Sequence, residues 1–179
     1  MALSSLGLLG SRHGYGKKME ESEELRKATE LWQEAYRVQK EGDLDRAIEI
    51  YQRSIEAHPT AEAHTFKGWA MSFQGRLEEA IAECWKAIEI DPDFGNPYND
   101  IGVYLMQQGK LDEAIPWLEK AKQAKRYEPR QFPYMNIGRI YIKQGRWWDA
   151  LREFEGAARV APNDAETRRT LHDLRARFN

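Results

Sequence analysis

Apolar positions in this chain recur at steps of three and four, a helical period rather than the strict alternation of a strand. The pattern predicts helices over about 20–41, 44–57, 61–74, 78–90, 95–108, 112–125, 130–144, 148–160 and 164–177. A longer period overlies the short one. Gly42, Gly75, Gly109 and Gly145 are spaced by 33, 34 and 36 residues. Five positions after each glycine comes an alanine (Ala47, Ala80, Ala114, Ala150), and an aliphatic residue follows each alanine. Pro59, Pro92 and Pro162 close three of the four segments. A two-helix unit of this length cannot bury its apolar stripe alone, whereas stacked copies can, so the period predicts an open helical solenoid.

Counting each repeat from residues 28, 61, 95 and 131 gives every position a physical role. Small residues at positions 8, 20 and 27 let two helices approach closely. Large residues at 4, 11, 17 and 24 fill the space around those contacts; position 17 holds Leu44, Leu77, Leu111 and Trp147. Glycine at 15 ends the first helix in a left-handed conformation at little cost. Proline at 32 stops the second helix.

The best-formed repeat reads Tyr134, Ile137, Gly138, Tyr141, Gly145, Ala150, Phe154, Ala157 and Pro162 at positions 4, 7, 8, 11, 15, 20, 24, 27 and 32. The other three follow it in phase. The whole resembles tetratricopeptide repeats over roughly residues 28–162. The resemblance implies an all-α, right-handed solenoid of four repeats (28–60, 61–94, 95–130, 131–163) with a capping helix at 164–177, making one domain over 20–179 after a flexible leader at 1–19. It also implies a non-catalytic scaffold or adaptor that takes a peptide or helix of a partner in its concave groove. The carboxylate clamp of chaperone-binding family members needs Lys, Asn and Arg at set positions. Here one register holds Trp32, Tyr36, Phe66, Asn96 and Asp100, and the next holds Thr65, Trp69, Asp100, Phe132 and Asn136. Both lack the cations, and Asp100 would repel a terminal carboxylate. A looser similarity, from Asn99-Asp100-Ile101-Gly102 through Tyr127-Glu128-Pro129 to Asn136-Ile137-Gly138, is to the bacterial tetratricopeptide proteins of type IV pilus biogenesis. It leaves open an accessory role in assembling an envelope machine. A self-associating scaffold, its groove filled by a neighbour's N-terminal segment, is the other alternative.

On the inner face of the first helices, positions 2, 5, 9 and 12 or 13 lie together by the i, i+3, i+4 rule. They supply Trp32, Tyr36 and Lys40, then Thr65, Trp69 and Phe73, then Asn96, Asn99 and Val103, then Met135, Arg139 and Lys143. Apolar anchors are expected at the aromatic end, and backbone and acidic groups at the Asn99, Arg139 and Lys143 end. The tryptophans could instead pack as ordinary core. Trp85 and Trp148 stand where the other repeats carry polar residues; they pack on a neighbouring helix or form a second contact or self-association patch. The 36-residue spacing places two extra residues in the turn at 125–131, either an inert loop or a lip on the groove.

Composition narrows the chemistry. Lys+Arg 27 against Asp+Glu 29 gives a net charge of −2, without the basic bias of nucleic-acid binding. One cysteine, Cys84, excludes an internal disulfide and is expected as a buried apolar group, the alternative being a reactive thiol. The four histidines lack metal spacing. No phosphate loop or nucleophile elbow is present, so neither enzyme activity nor a cofactor is expected. No run approaches the ~20 apolar residues of a membrane span, and the N-terminus lacks the basic region and cleavage site of an export signal. A cytoplasmic protein is expected.

Overall fold

A computed structural model describes residues 12–178. Its elements are α1 (Arg12–Lys40), α2 (Leu44–Ala57), α3 (Ala61–Phe73), α4 (Leu77–Ile90), α5 (Asn96–Gln107), α6 (Leu111–Gln123), α7 (Gln131–Lys143), α8 (Trp147–Val160) and α9 (Ala165–Ala176). Successive helices pair as hairpins, α1 with α2 through α7 with α8. Each hairpin packs on the next, the first helices α1, α3, α5 and α7 also touch in turn, and α9 lies on α8. The fold is an all-α solenoid. Helix α1 begins at Arg12 rather than near Glu20, so residues 12–19, expected in the leader, are helical. Residues 1–11 of that leader lie outside the described residues.

The repeat glycines divide into two kinds. Gly42, Gly75, Gly109 and Gly145 have φ between 72° and 92°, and nothing lies within 4 Å of where a Cβ would stand. They are needed for the left-handed turn alone. Gly138 is helical, and a Cβ there would lie 2.6 Å from the Phe154 ring; glycine here permits close packing of α7 on α8. Ala47, Ala80, Ala114 and Ala150 are completely buried where helices approach most closely. Tyr51, Cys84, Leu118 and Phe154 fill position 24 of the core.

Between α3 and α4 the core is polar. The Glu83 carboxylate accepts from His64 Nδ1 at 2.6 Å, Lys86 Nζ at 2.9 Å and Lys67 Nζ at 3.2 Å. At the far end, Asp164 caps α9 by accepting from the Thr167 N–H at 2.7 Å, and Leu171 and Leu174 bury against the Phe154 cluster. This gives the last hairpin the apolar cover a solenoid end requires.

The expanded turn between the third and fourth repeats is tied to the turn before it. Gly95 N–H donates to the Arg126 carbonyl at 2.9 Å, and Arg126 N–H donates to that of Asp93 at 3.0 Å. The Arg126 guanidinium lies 4.1 Å over the Phe94 ring and reaches Glu62 at 2.6 Å.

Candidate peptide-binding groove

A concave cavity of about 620 Å³ runs across the first helices of all four repeats. Tyr36 comes from α1, and Thr65, Phe66, Trp69, Ser72 and Phe73 come from α3. Asn96, Asn99, Asp100, Val103, Tyr104 and Gln107 project from α5, and Phe132 and Asn136 from α7. Tyr127 and Pro129 of the expanded turn complete the wall, so that turn forms an edge of the cavity.

Phe66 centres the aromatic end. Its ring meets Trp32 at 5.2 Å, Tyr36 at 5.4 Å and Trp69 at 5.8 Å, each edge to face. Trp69 in turn packs on Phe73 at 5.3 Å. Edge-to-face contacts fix ring orientation, so the floor is preformed while Phe73, 61% exposed, remains free at its rim. The other end is polar. Asn99 Nδ2 donates to Asp100 Oδ1 at 3.3 Å, and Asn136 Nδ2 donates to Asn99 Oδ1 at 3.0 Å. Arg139 Nη1 donates to Asn136 Oδ1 at 2.7 Å. Burial pushes the Asp100 carboxyl up to about 7, against a smaller downward pull from the Asn99 amide.

Seven residues expected on the inner face line the cavity: Tyr36, Thr65, Trp69, Phe73, Asn96, Asn99 and Val103. Trp32 sits behind them, half-buried, stacked 6.1 Å from Tyr36. Lys40 is exposed, 5.5 Å over the Tyr36 ring, and Lys143 is exposed beyond the lining. Two expectations need correction. Met135 is fully buried among Phe154, Leu171 and Leu174, because α9 covers the face that position 5 presents. Arg139 is drawn to α9, where Nη2 meets Glu166 at 2.5 Å. One of the two cations at the end expected to favour acidic groups is therefore engaged from within the chain.

Phe66, Asp100 and Asn136, all at position 6, were missed as groove residues. All three stand at places of the carboxylate clamp whose Asn or Arg they do not supply. Tyr104 was missed because an apolar ring at position 10 reads as core. Outside the groove, Trp85 packs edge-on to Trp117 of α6 at 4.9 Å and stays 46% exposed. Trp148 stacks on Phe178 at 3.7 Å and stays 65% exposed. Cys84 is buried, and burial pushes its thiol well up, away from thiolate reactivity. Among the described residues no helix is long and apolar enough to cross a membrane.

Comparison with known proteins bears on this arrangement. Tetratricopeptide repeat models match residues 25–93 and 83–115. The small glutamine-rich tetratricopeptide repeat-containing protein 2 of Mycosarcoma maydis is 33% identical over 100 residues, covering 55% of this chain and 28% of that one. The chain thus spans little more than a quarter of that relative's length. The type IV pilus assembly protein PilF of Pseudomonas aeruginosa is 26% identical over 136 residues, covering 74% of this chain and 53% of that one. Its solved structure superposes with a TM-score of 0.78 at 21% identity, over 88% of this chain and 70% of that one. The second tetratricopeptide domain of Spaghetti (RPAP3), solved with the HSP90 peptide SRMEEVD, superposes with a TM-score of 0.55 at 26% identity, over 59% of this chain and 97% of that one.

Proposed function

The chain belongs to the tetratricopeptide repeat family, and on that premise we propose that it is a non-catalytic scaffold or adaptor whose concave groove holds a segment of another polypeptide. The observation that carries this is the aromatic-floored cavity spanning all four first helices, with Phe73 exposed at its rim. Large aromatic side chains in a partly desolvated concavity are the groups that dominate binding energies. The peptide-bound relative supports the same use of a similar fold. The cytoplasm is the proposed setting.

The test is site-specific photo-crosslinking in the native cell, with the photoreactive residue at Phe73 in one protein and at Trp85 or Trp148 in others. A discrete adduct from position 73 that Trp69→Ala removes supports the groove. Adducts from the outer positions alone would overturn it. A second role, as an accessory factor in assembling an envelope machine, draws support from the PilF likeness, which extends over most of the array. Pilus-type subunits in the adduct from position 73 would favour that role.

A further inference from the structure

We propose that the groove occupant is a polypeptide segment of another protein carrying a Lys or Arg beside an apolar anchor. The cation seats against Asp100, and the anchor lies on Phe66, Trp69 and Phe73. The proposal rests on the groove assigned above and specifies the chemistry of what fills it.

Asp100 is the one formally charged residue among the sixteen described residues that line the cavity. It is half-buried, and the hydrogen bond it accepts comes from a neutral amide, Asn99 Nδ2, at 3.3 Å. Three cations of the adjoining elements are engaged elsewhere. Arg139 lies on Glu166 and Asn136, Arg126 on Glu62 and Asp91, and Lys67 on Glu83. Burial without a counter-charge disfavours the ionised carboxyl and pushes it up to about 7. The groups that face Asp100 are the phenols of Tyr104 and Tyr127 and the Cys84 thiol, all held protonated by burial and by Asp100 itself. The Tyr104 hydroxyl is buried beside Asp100, so this end of the cavity is polar. Among the described lining residues a carboxylate entering here would meet Asp100 and no cation. A Lys or Arg head would supply the missing charge, and its aliphatic stem would lie along the aromatic rings.

The experiment selects binders to the full chain from a random-peptide display library, then measures single selected peptides by calorimetry. Peptides enriched in Lys or Arg next to large apolar residues are expected. Replacing that Lys by norleucine should weaken binding about tenfold, the scale of one charge-assisted hydrogen bond. In Asp100→Asn, checked for an unchanged thermal melt, the same replacement should cost less than about twofold. Affinity of wild type for the Lys peptide should fall as pH is lowered through about 7, and Asp100→Asn should flatten that dependence. Phe73→Ser should weaken every selected peptide. If Phe73→Ser matters but the peptides are acidic, or the norleucine penalty is unchanged in Asp100→Asn, the cation proposal fails and the groove stands. If neither variant alters binding, the groove assignment itself fails. If peptide binding is lost in step with dimer formation, a second copy is the occupant and the proposal is overturned.

Discussion

Glu83 should make this protein lose stability in acid through one identifiable carboxyl. The side chain is buried in α4, and burial alone would raise it; hydrogen bonds from His64, Lys86 and Lys67 outweigh that and hold it at about 2. Set against the ordinary value of 4.5, the depression corresponds to about 3 kcal/mol of folding free energy. The folded-state value is the lower one. The contribution is therefore fully present above 4.5 and is lost as pH falls towards 2. Glu83→Gln keeps the shape and removes the charge, so at neutral pH it should cost about 3 kcal/mol. Urea unfolding followed by circular dichroism at several pH values measures this, and every other carboxyl cancels in the difference between the two proteins. The gap between wild type and Glu83→Gln should narrow steadily from 4.5 towards 2. A gap that stays constant over that range would refute the reasoning, because the loss would then come from packing and not from ionisation.

Gly138→Ala forces a Cβ to within 2.6 Å of the Phe154 ring and should cost about 1–3 kcal/mol in a thermal melt. Gly95→Ala should cost a similar amount, since its Cβ would meet that of Tyr127 at 2.5 Å; by displacing the turn that edges the cavity, it should also weaken peptide binding. Trp148→Glu should change stability by no more than about 0.5 kcal/mol, because the ring is 65% exposed despite its stack on Phe178. Any self-association seen by sedimentation should fall in the same variant.

The fold was legible because each element of the repeat carries its own physical requirement. A left-handed turn at Gly75, a fully buried methyl at Ala80 and a helix stop near Pro92 leave few alternatives, and four copies in phase leave fewer. The expanded turn was legible as an insertion but not as a built edge. Its anchoring depends on Arg126 reaching back to Phe94 and to Glu62, 64 residues earlier in the chain, and no local pattern encodes such a contact. The helical start at Arg12 was hidden by the glycines around it, which argue for a leader when propensity alone is weighed.

The groove was legible only by halves, and the reason lies in the stack. Helical periodicity identifies the face turned from the second helix, but each first helix also meets the first helix of the following repeat. That contact buries Thr65 and Asn99 at position 5, and α9 buries Met135 in the same way. Position 6 also supplies the cavity wall, through Phe66, Asp100 and Asn136. The position of a repeat in the array then decides what equivalent residues do. At position 9, Tyr36, Trp69 and Val103 line the cavity, whereas Arg139, in the last repeat, meets the capping helix and is paired with Glu166. Glu166 of the closing helix α9 thereby engages that guanidinium from within the chain. Among the described lining residues, what is left to meet a partner is an aromatic floor with Asp100 as its one formal charge.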